Sequence, residues 1–223
     1  MSYLFAALGG GILIWFLLLR RLMAKPWLEK GVIDWDDAMP TRPATSVGFW
    51  AFLSVVTSLF GLLIITYAER SEYPDWRPLA KPGLLWINTV FLILGSIAFQ
   101  RASGALRREN VDGLKLNLIA GGLFTIIFIF GQLWAWRELI ATGHFMATNP
   151  ADAFYYLLTA VHGLHLLGGL WVWAKTTATV WRGLGAGDVT QASHLRLVVQ
   201  LCSFYWHYLL LLWLVLFYLL SST

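Results

Sequence analysis

The chain has 223 residues, 58% of them hydrophobic and 13% charged, with a formal net charge of +4 at neutral pH. Apolar runs this long and continuous exclude a soluble core and mark an integral membrane protein. The single cysteine, Cys202, lies inside an apolar run, so there is no disulfide framework or thiolate metal cluster, and the residue reads as a small hydrophobe in a helix.

Six segments approach the ~20 residues that a helix needs to cross the hydrocarbon layer: about 3–22, 46–68, 84–101, 115–136, 153–175 and 197–220. None alternates with a period of two, so helices are expected rather than a barrel. The fold class is all-α, a polytopic membrane helix bundle with six transmembrane helices. In the first segment Arg20 and Arg21 follow the apolar run instead of preceding it, which favours a retained anchor over a cleaved signal. The longest loop, 23–45, is too short to bury a core of its own. Its Asp34, Asp36 and Asp37 are interrupted by Trp35 and Pro40 without a glycine turn, so a solvated loop is expected there rather than a cation cage.

Twelve of the sixteen Lys and Arg residues lie in the loops after the first, third and fifth segments, and only Arg70, Arg77, Lys81 and Arg137 lie on the opposite side. The positive-inside rule then puts those three loops in the cytoplasm and both termini outside. The positive charge is a topology signal. No basic stripe with interleaved aromatics lies outside the membrane, so nucleic acid is not expected as a partner.

Small and polar residues recur at helical spacing. Asn117, Gly121, Thr125, Phe128, Gln132 and Trp136 share one face of the fourth segment, and Asn88, Gly95, Ser96 and Phe99 share one of the third. Such stripes let helices approach closely and exchange hydrogen bonds in lipid. Tyr67, Trp86, Trp134, Trp136, Trp173 and Trp213 lie near segment ends, which suits an interfacial aromatic belt.

The fifth segment, FYYLLTAVHGLHLLGGLWVW, carries His162 and His165, and the sixth carries His207. Intramembrane ionisable residues read first as functional. Three roles are open: ligands of a metal or haem, members of a proton route, or polar pins between helices. A catalytic metal site gathers three or more ligands. Here His144 and His194 are expected in loops on opposite sides, Glu69, Glu138 and Asp152 lie at segment ends, and Glu-x-x-His pairs are absent. Haem needs only two imidazoles, which His162 or His165 could supply together with His207. Polar pinning has specific support, because Tyr155, Thr159, His162, Gly169 and Trp173 share a broad face and Ser203 stands one turn before His207. Each such bond contributes about 0.6 to 2 kcal/mol in a membrane.

These residues resemble subunit III of haem-copper oxidases. The helix pattern L-T-x-x-H-G-x-H-x-x-G-G of that family, with a preceding Phe, is matched at Phe154, Leu158, Thr159, His162, Gly163, His165, Gly168 and Gly169. Its terminal helix is matched at Trp206, His207 and Trp213, its Gly, Trp, Phe and Ser opening at Gly48, Trp50, Phe52 and Ser54, and its Asn-Thr and Ser pattern at Asn88, Thr89 and Ser96. The chain departs from the family at Val55, Ala135 and Leu210, where acidic residues are usual, and it carries one extra N-terminal helix where longer members have two.

The resemblance implies one integral membrane domain over 1–223, with an extra helix and loop over 1–44 and a five-helix subunit III-like bundle over 45–223. It implies a non-catalytic accessory subunit in a bacterial cytoplasmic membrane, with catalytic subunit I, the other subunits of the complex and phospholipids as partners. No catalytic, metal or cofactor-binding residue is expected in this chain, the haems and copper belonging to the catalytic subunit. Trp50, His162, His165, Trp206 and His207 are the positions expected to make lipid or inter-helix polar contacts. The alternatives are a subunit III-like component of a nitric oxide reductase or quinol oxidase, and a small haem b electron-transfer membrane protein.

Overall fold

The computed structural model describes residues 16, 17, 20, 44–78, 83–183 and 189–222. They form five long helices and contain no strand: α1 (Ala44–Arg70), α2 (Leu84–Arg107), α3 (Val111–Ala141), α4 (Pro150–Gly183) and α5 (Val189–Ser222). All five are long and apolar enough to cross a bilayer, and the chain is a multi-pass membrane protein. The sixth helix, expected over 3–22, lies outside the described residues apart from Phe16, Leu17 and Arg20, and Asp34, Asp36 and Asp37 lie wholly outside them. His194, expected in a loop, falls within α5.

The chain divides into two units, Met1–Glu69 and Arg70–Thr223. In the first, α1 buries Leu53, Val56, Phe60 and Tyr67 along one stripe and exposes Val47, Trp50, Phe52, Val55 and Leu62. Its Ser54, Thr57, Ser58 and Thr66 hydroxyls each donate to the carbonyl four residues back, which satisfies them within the helix.

In the second unit the four helices form a closed ring in which α2 packs on α3, α3 on α4, α4 on α5 and α5 back on α2. The chemistry of the connections explains the reversals. After α2, Glu109 takes a positive φ of 56°, the Asn110 N–H bonds back to the Ala105 carbonyl at 3.0 Å, and the Asn110 side chain then caps α3 by accepting from Gly113 N–H at 2.8 Å. After α3, Gly143 adopts φ 88° and the Gly143 and His144 N–H groups bond to the carbonyls of Ile140 and Leu139. This left-handed stop suits glycine. Pro150 opens α4, where its missing N–H costs nothing, and Asn149 Oδ1 accepts from Ala151 N–H.

Close approach falls where glycines meet rings and amides. A Cβ built on Gly121 would lie 2.8 Å from the Phe99 ring, one on Gly131 2.0 Å from Asn88 Oδ1, one on Gly122 2.2 Å from the Trp173 ring and one on Gly169 2.8 Å from Tyr205. Gly168 differs, being exposed with nothing within 4 Å, because its side of α4 faces away from the ring. Trp213 departs from the expected belt. It is 0% exposed at the centre of the core, whereas Trp86 and Trp134 are 66% and 64% exposed on the outer surface.

These contacts make a paired test. Gly122→Ala is expected to cost about 1–3 kcal/mol through overpacking, because the Trp173 ring cannot retreat without losing the bond that its Nε1–H donates to the Leu118 carbonyl at 2.8 Å. Gly168→Ala is expected to be neutral or to gain about 0.5–1 kcal/mol from helix propensity. Thermal unfolding of the detergent-solubilised variants compares them, and equal midpoints would refute the packing role of Gly122.

Candidate functional site: the polar interior of the four-helix unit

Every helix of the ring contributes to one central cluster. The His162 ring on α4 packs 5.2 Å from Trp213 on α5 and 5.9 Å from Phe128 on α3, and Phe128 meets Trp213 edge-on at 4.9 Å. The Trp213 Nε1–H donates to Thr89 Oγ1 on α2 at 2.9 Å, and the Thr89 hydroxyl donates in turn to the Leu85 carbonyl at 2.8 Å. His162 Nε2 lies 3.2 Å from the Leu209 carbonyl. A carbonyl only accepts, so Nε2 carries the proton and the bond ties α4 to the backbone of α5.

The same device recurs between α3 and α4. Trp136 Nε1–H donates to Thr159 Oγ1 at 3.1 Å, Thr159 donates to its own Tyr155 carbonyl, and Gln132 Nε2–H donates to the Tyr155 hydroxyl at 3.0 Å. Indole and amide donors thus meet acceptors across helices where lipid offers none.

A second cluster joins α2 to α5. His207 Nε2–H donates to Gln100 Oε1 at 2.9 Å, which leaves His207 Nδ1 to accept from the Ser96 hydroxyl. Ser203 Oγ lies 3.4 Å from the same Gln100 oxygen. Trp206 is buried one turn beyond Cys202 and stacks on Phe99 at 4.8 Å with the rings nearly parallel. His165 turns Nδ1–H onto the Val161 carbonyl of its own helix at 2.7 Å, while its backbone carbonyl accepts from the Tyr205 hydroxyl at 3.0 Å.

Of the five positions singled out in the sequence, His162, Trp206 and His207 therefore enter contacts between helices of the second unit. His165 enters one through its backbone carbonyl. Trp50, on α1, is exposed and lies edge-on to Phe49. For His207 to serve as an axial ligand, a ring nitrogen would have to give up its bond to Gln100 or Ser96, whereas His162 bonds to Leu209 through Nε2 alone. Among the described residues, no group of three His, Cys, Asp or Glu side chains comes together to hold a metal ion.

Some of the polar framework carried no sequence signal. Gln100 stands next to Arg101 and reads as a segment-end residue, and the Leu209 carbonyl is a backbone group. At the Gly143 end, Asp152 is fully buried and both its oxygens lie within 3.3 Å of His144 Nδ1, while the Tyr156 hydroxyl donates to the His144 carbonyl. Asn149 there exchanges two hydrogen bonds with the Arg77 backbone. Outside the spans, Arg70 forks onto Asp75 and holds that carboxyl below the usual carboxylate range. At the other end Lys175 lies 4.6 Å from the Trp171 ring and Lys115 5.5 Å from the Trp181 ring, cationic stems lying on interfacial aromatics.

No family model matches the chain. Among curated proteins it is similar to cytochrome c oxidase subunit 3 of Synechocystis sp., with 29% identity over 175 residues covering 76% of this chain and 72% of the relative. It is similar to cytochrome bo(3) ubiquinol oxidase subunit 3 of Pseudomonas putida, with 28% identity over 183 residues covering 78% and 83%. A third relative, cytochrome c oxidase subunit 3 of Bacillus sp. strain PS3, is 26% identical over 204 residues covering 85% and 93%. Over three quarters or more of its length, the chain is thus similar to subunit 3 proteins named for cytochrome c and for ubiquinol oxidases.

Proposed function

We propose that this protein is the accessory subunit III of a haem-copper terminal oxidase in a bacterial cytoplasmic membrane, without a catalytic centre of its own. The observation that carries the reading is the similarity to subunit 3 of two kinds of oxidase across most of the chain. The bonding of His207 agrees with it, because both of its ring nitrogens are spent on Gln100 and Ser96 of a neighbouring helix.

In this reading the chain spans the membrane six times, the first over 3–22, with both termini outside, as one integral domain whose bundle covers 45–223. The haems and copper reside in catalytic subunit I. Trp50, His162, His165, Trp206 and His207 make the lipid and inter-helix contacts through which the chain braces its partners. The acids usual in the family are replaced by Val55, Ala135 and Leu210, so the subunit has no embedded carboxylate at those positions to feed protons. Its effect on the oxidase is mechanical, exerted through packing and bound phospholipid.

Three measurements test the proposal. Purified oxidase lacking this chain is expected to keep most of its initial oxygen consumption but to inactivate faster during turnover. Immediate total loss with intact cofactors would instead assign a direct part in catalysis, and an unchanged inactivation rate would refute bracing. Reduced cytochrome c and quinol, supplied in parallel, identify the electron donor. A reporter fused after Thr223 is expected to be active only outside the cytoplasm, as the charge count requires; cytoplasmic activity would reverse the topology. Pigment and metal analysis of the isolated chain is expected to find neither haem nor stoichiometric metal, and one haem per chain would favour the electron-transfer alternative.

A further inference from the structure

We propose that the interior between α2, α3 and α4 is a binding site for ordered water, held by Asn88, Gln132 and His162. Asn88 Nδ2, Gln132 Oε1 and His162 Nδ1 are all buried and have no hydrogen-bond partner in the protein. Asn88 is 2% exposed, Gln132 6% and His162 0%. Most of the polar framework around them is paired, so three orphans in one interior require a cause.

Their chemistry is complementary. Gln132 uses Nε2–H on the Tyr155 hydroxyl, leaving Oε1 as an acceptor. His162 uses Nε2–H on the Leu209 carbonyl, and Nδ1 is the acceptor of that tautomer. Asn88 Nδ2 is a donor. One donor and two acceptors suit one or two water molecules, since a buried water typically makes about three hydrogen bonds.

The three residues are linked through shared neighbours. The Asn88 amide lies against the backbone at Gly131, where an added Cβ would fall 2.0 Å from Oδ1, and Gln132 is the next residue. His162 packs on Phe128, one turn before Gln132. Trp213, in contact with both Phe128 and His162, donates to Thr89, the residue after Asn88. Lipid supplies no donor or acceptor at this depth, so water sealed inside the ring is the small polar molecule able to complete the set.

The test is a density map of the full chain in its native membrane complex, at a resolution that shows ordered water. A peak within hydrogen-bonding distance of His162 Nδ1, and one bonded to both Asn88 Nδ2 and Gln132 Oε1, is the expected result; a single peak counts for all three atoms only where it reaches each. A map that resolves waters elsewhere but none here overturns the proposal, as does an Asn88 amide turned directly onto Gln132. Infrared difference spectra in deuterated water supply a second readout. Gln132→Met is expected to remove an O–D stretching band of weakly bonded internal water that Gly168→Ala retains, and identical bands in both variants count against the site. Neither readout depends on oxidase activity.

Discussion

The Trp213 indole N–H, donated to the Thr89 hydroxyl in the middle of four helices, is the bond on which the rest of the second unit depends. It brings the last helix onto the first of the ring, and the indole then forms the wall against which His162 and Phe128 pack. In water such a bond would compete with solvent; in a bilayer the alternative to it is an unpaired N–H, which is costly wherever it is buried. The Thr89 hydroxyl can serve because its own proton goes to the Leu85 carbonyl. Threonine thus acts as an adaptor, turning a helix carbonyl that is already bonded into an outward-facing acceptor.

The same adaptor at Thr159 receives Trp136, so two of the unit's tryptophans are held by one arrangement. Glycine plays the complementary part. Where an indole or phenyl ring must lie against a helix, as Phe99 on Gly121 and Trp173 on Gly122, the absence of a side chain makes the room. At these contacts large flat rings and bare backbone are used as matched pieces.

Much of this was legible in the sequence, and the failures are instructive. The spans were visible because lipid demands long apolar runs, and the buried faces of α2 and α3 because small and polar residues recur at helical period. The motif did not sort its two glycines, and Trp213 was misplaced. Gly168 sits beside the close-packed Gly169, and nothing in the motif distinguishes the inward glycine from the outward one. Trp213 sits near the end of the chain, yet it lies nine residues before Ser222, about 13 Å along the helix at 1.5 Å per residue, well below an interfacial belt. The acceptors of His162 and His207 were hidden because one is a backbone carbonyl and the other an amide beside a terminal arginine. Sequence reveals which side chains need partners more readily than which groups answer them.

The closed ring has a further consequence for connectivity. Trp86 near the start of α2 and Phe217 near the end of α5 meet edge-on at 4.7 Å, so the two extremities of the four-helix unit lie side by side at one end. Neighbour relations in such a ring do not depend on where the chain is cut. A circularly permuted unit, opened between α3 and α4 and closed by a short polar linker from Ser222 to Gly83, would preserve every helix pair and alter only the order of synthesis. That order decides which pair first meets in the membrane. In the natural chain, α2 and α3 are neighbours joined by a three-residue turn, and the ring can close only when α5 arrives.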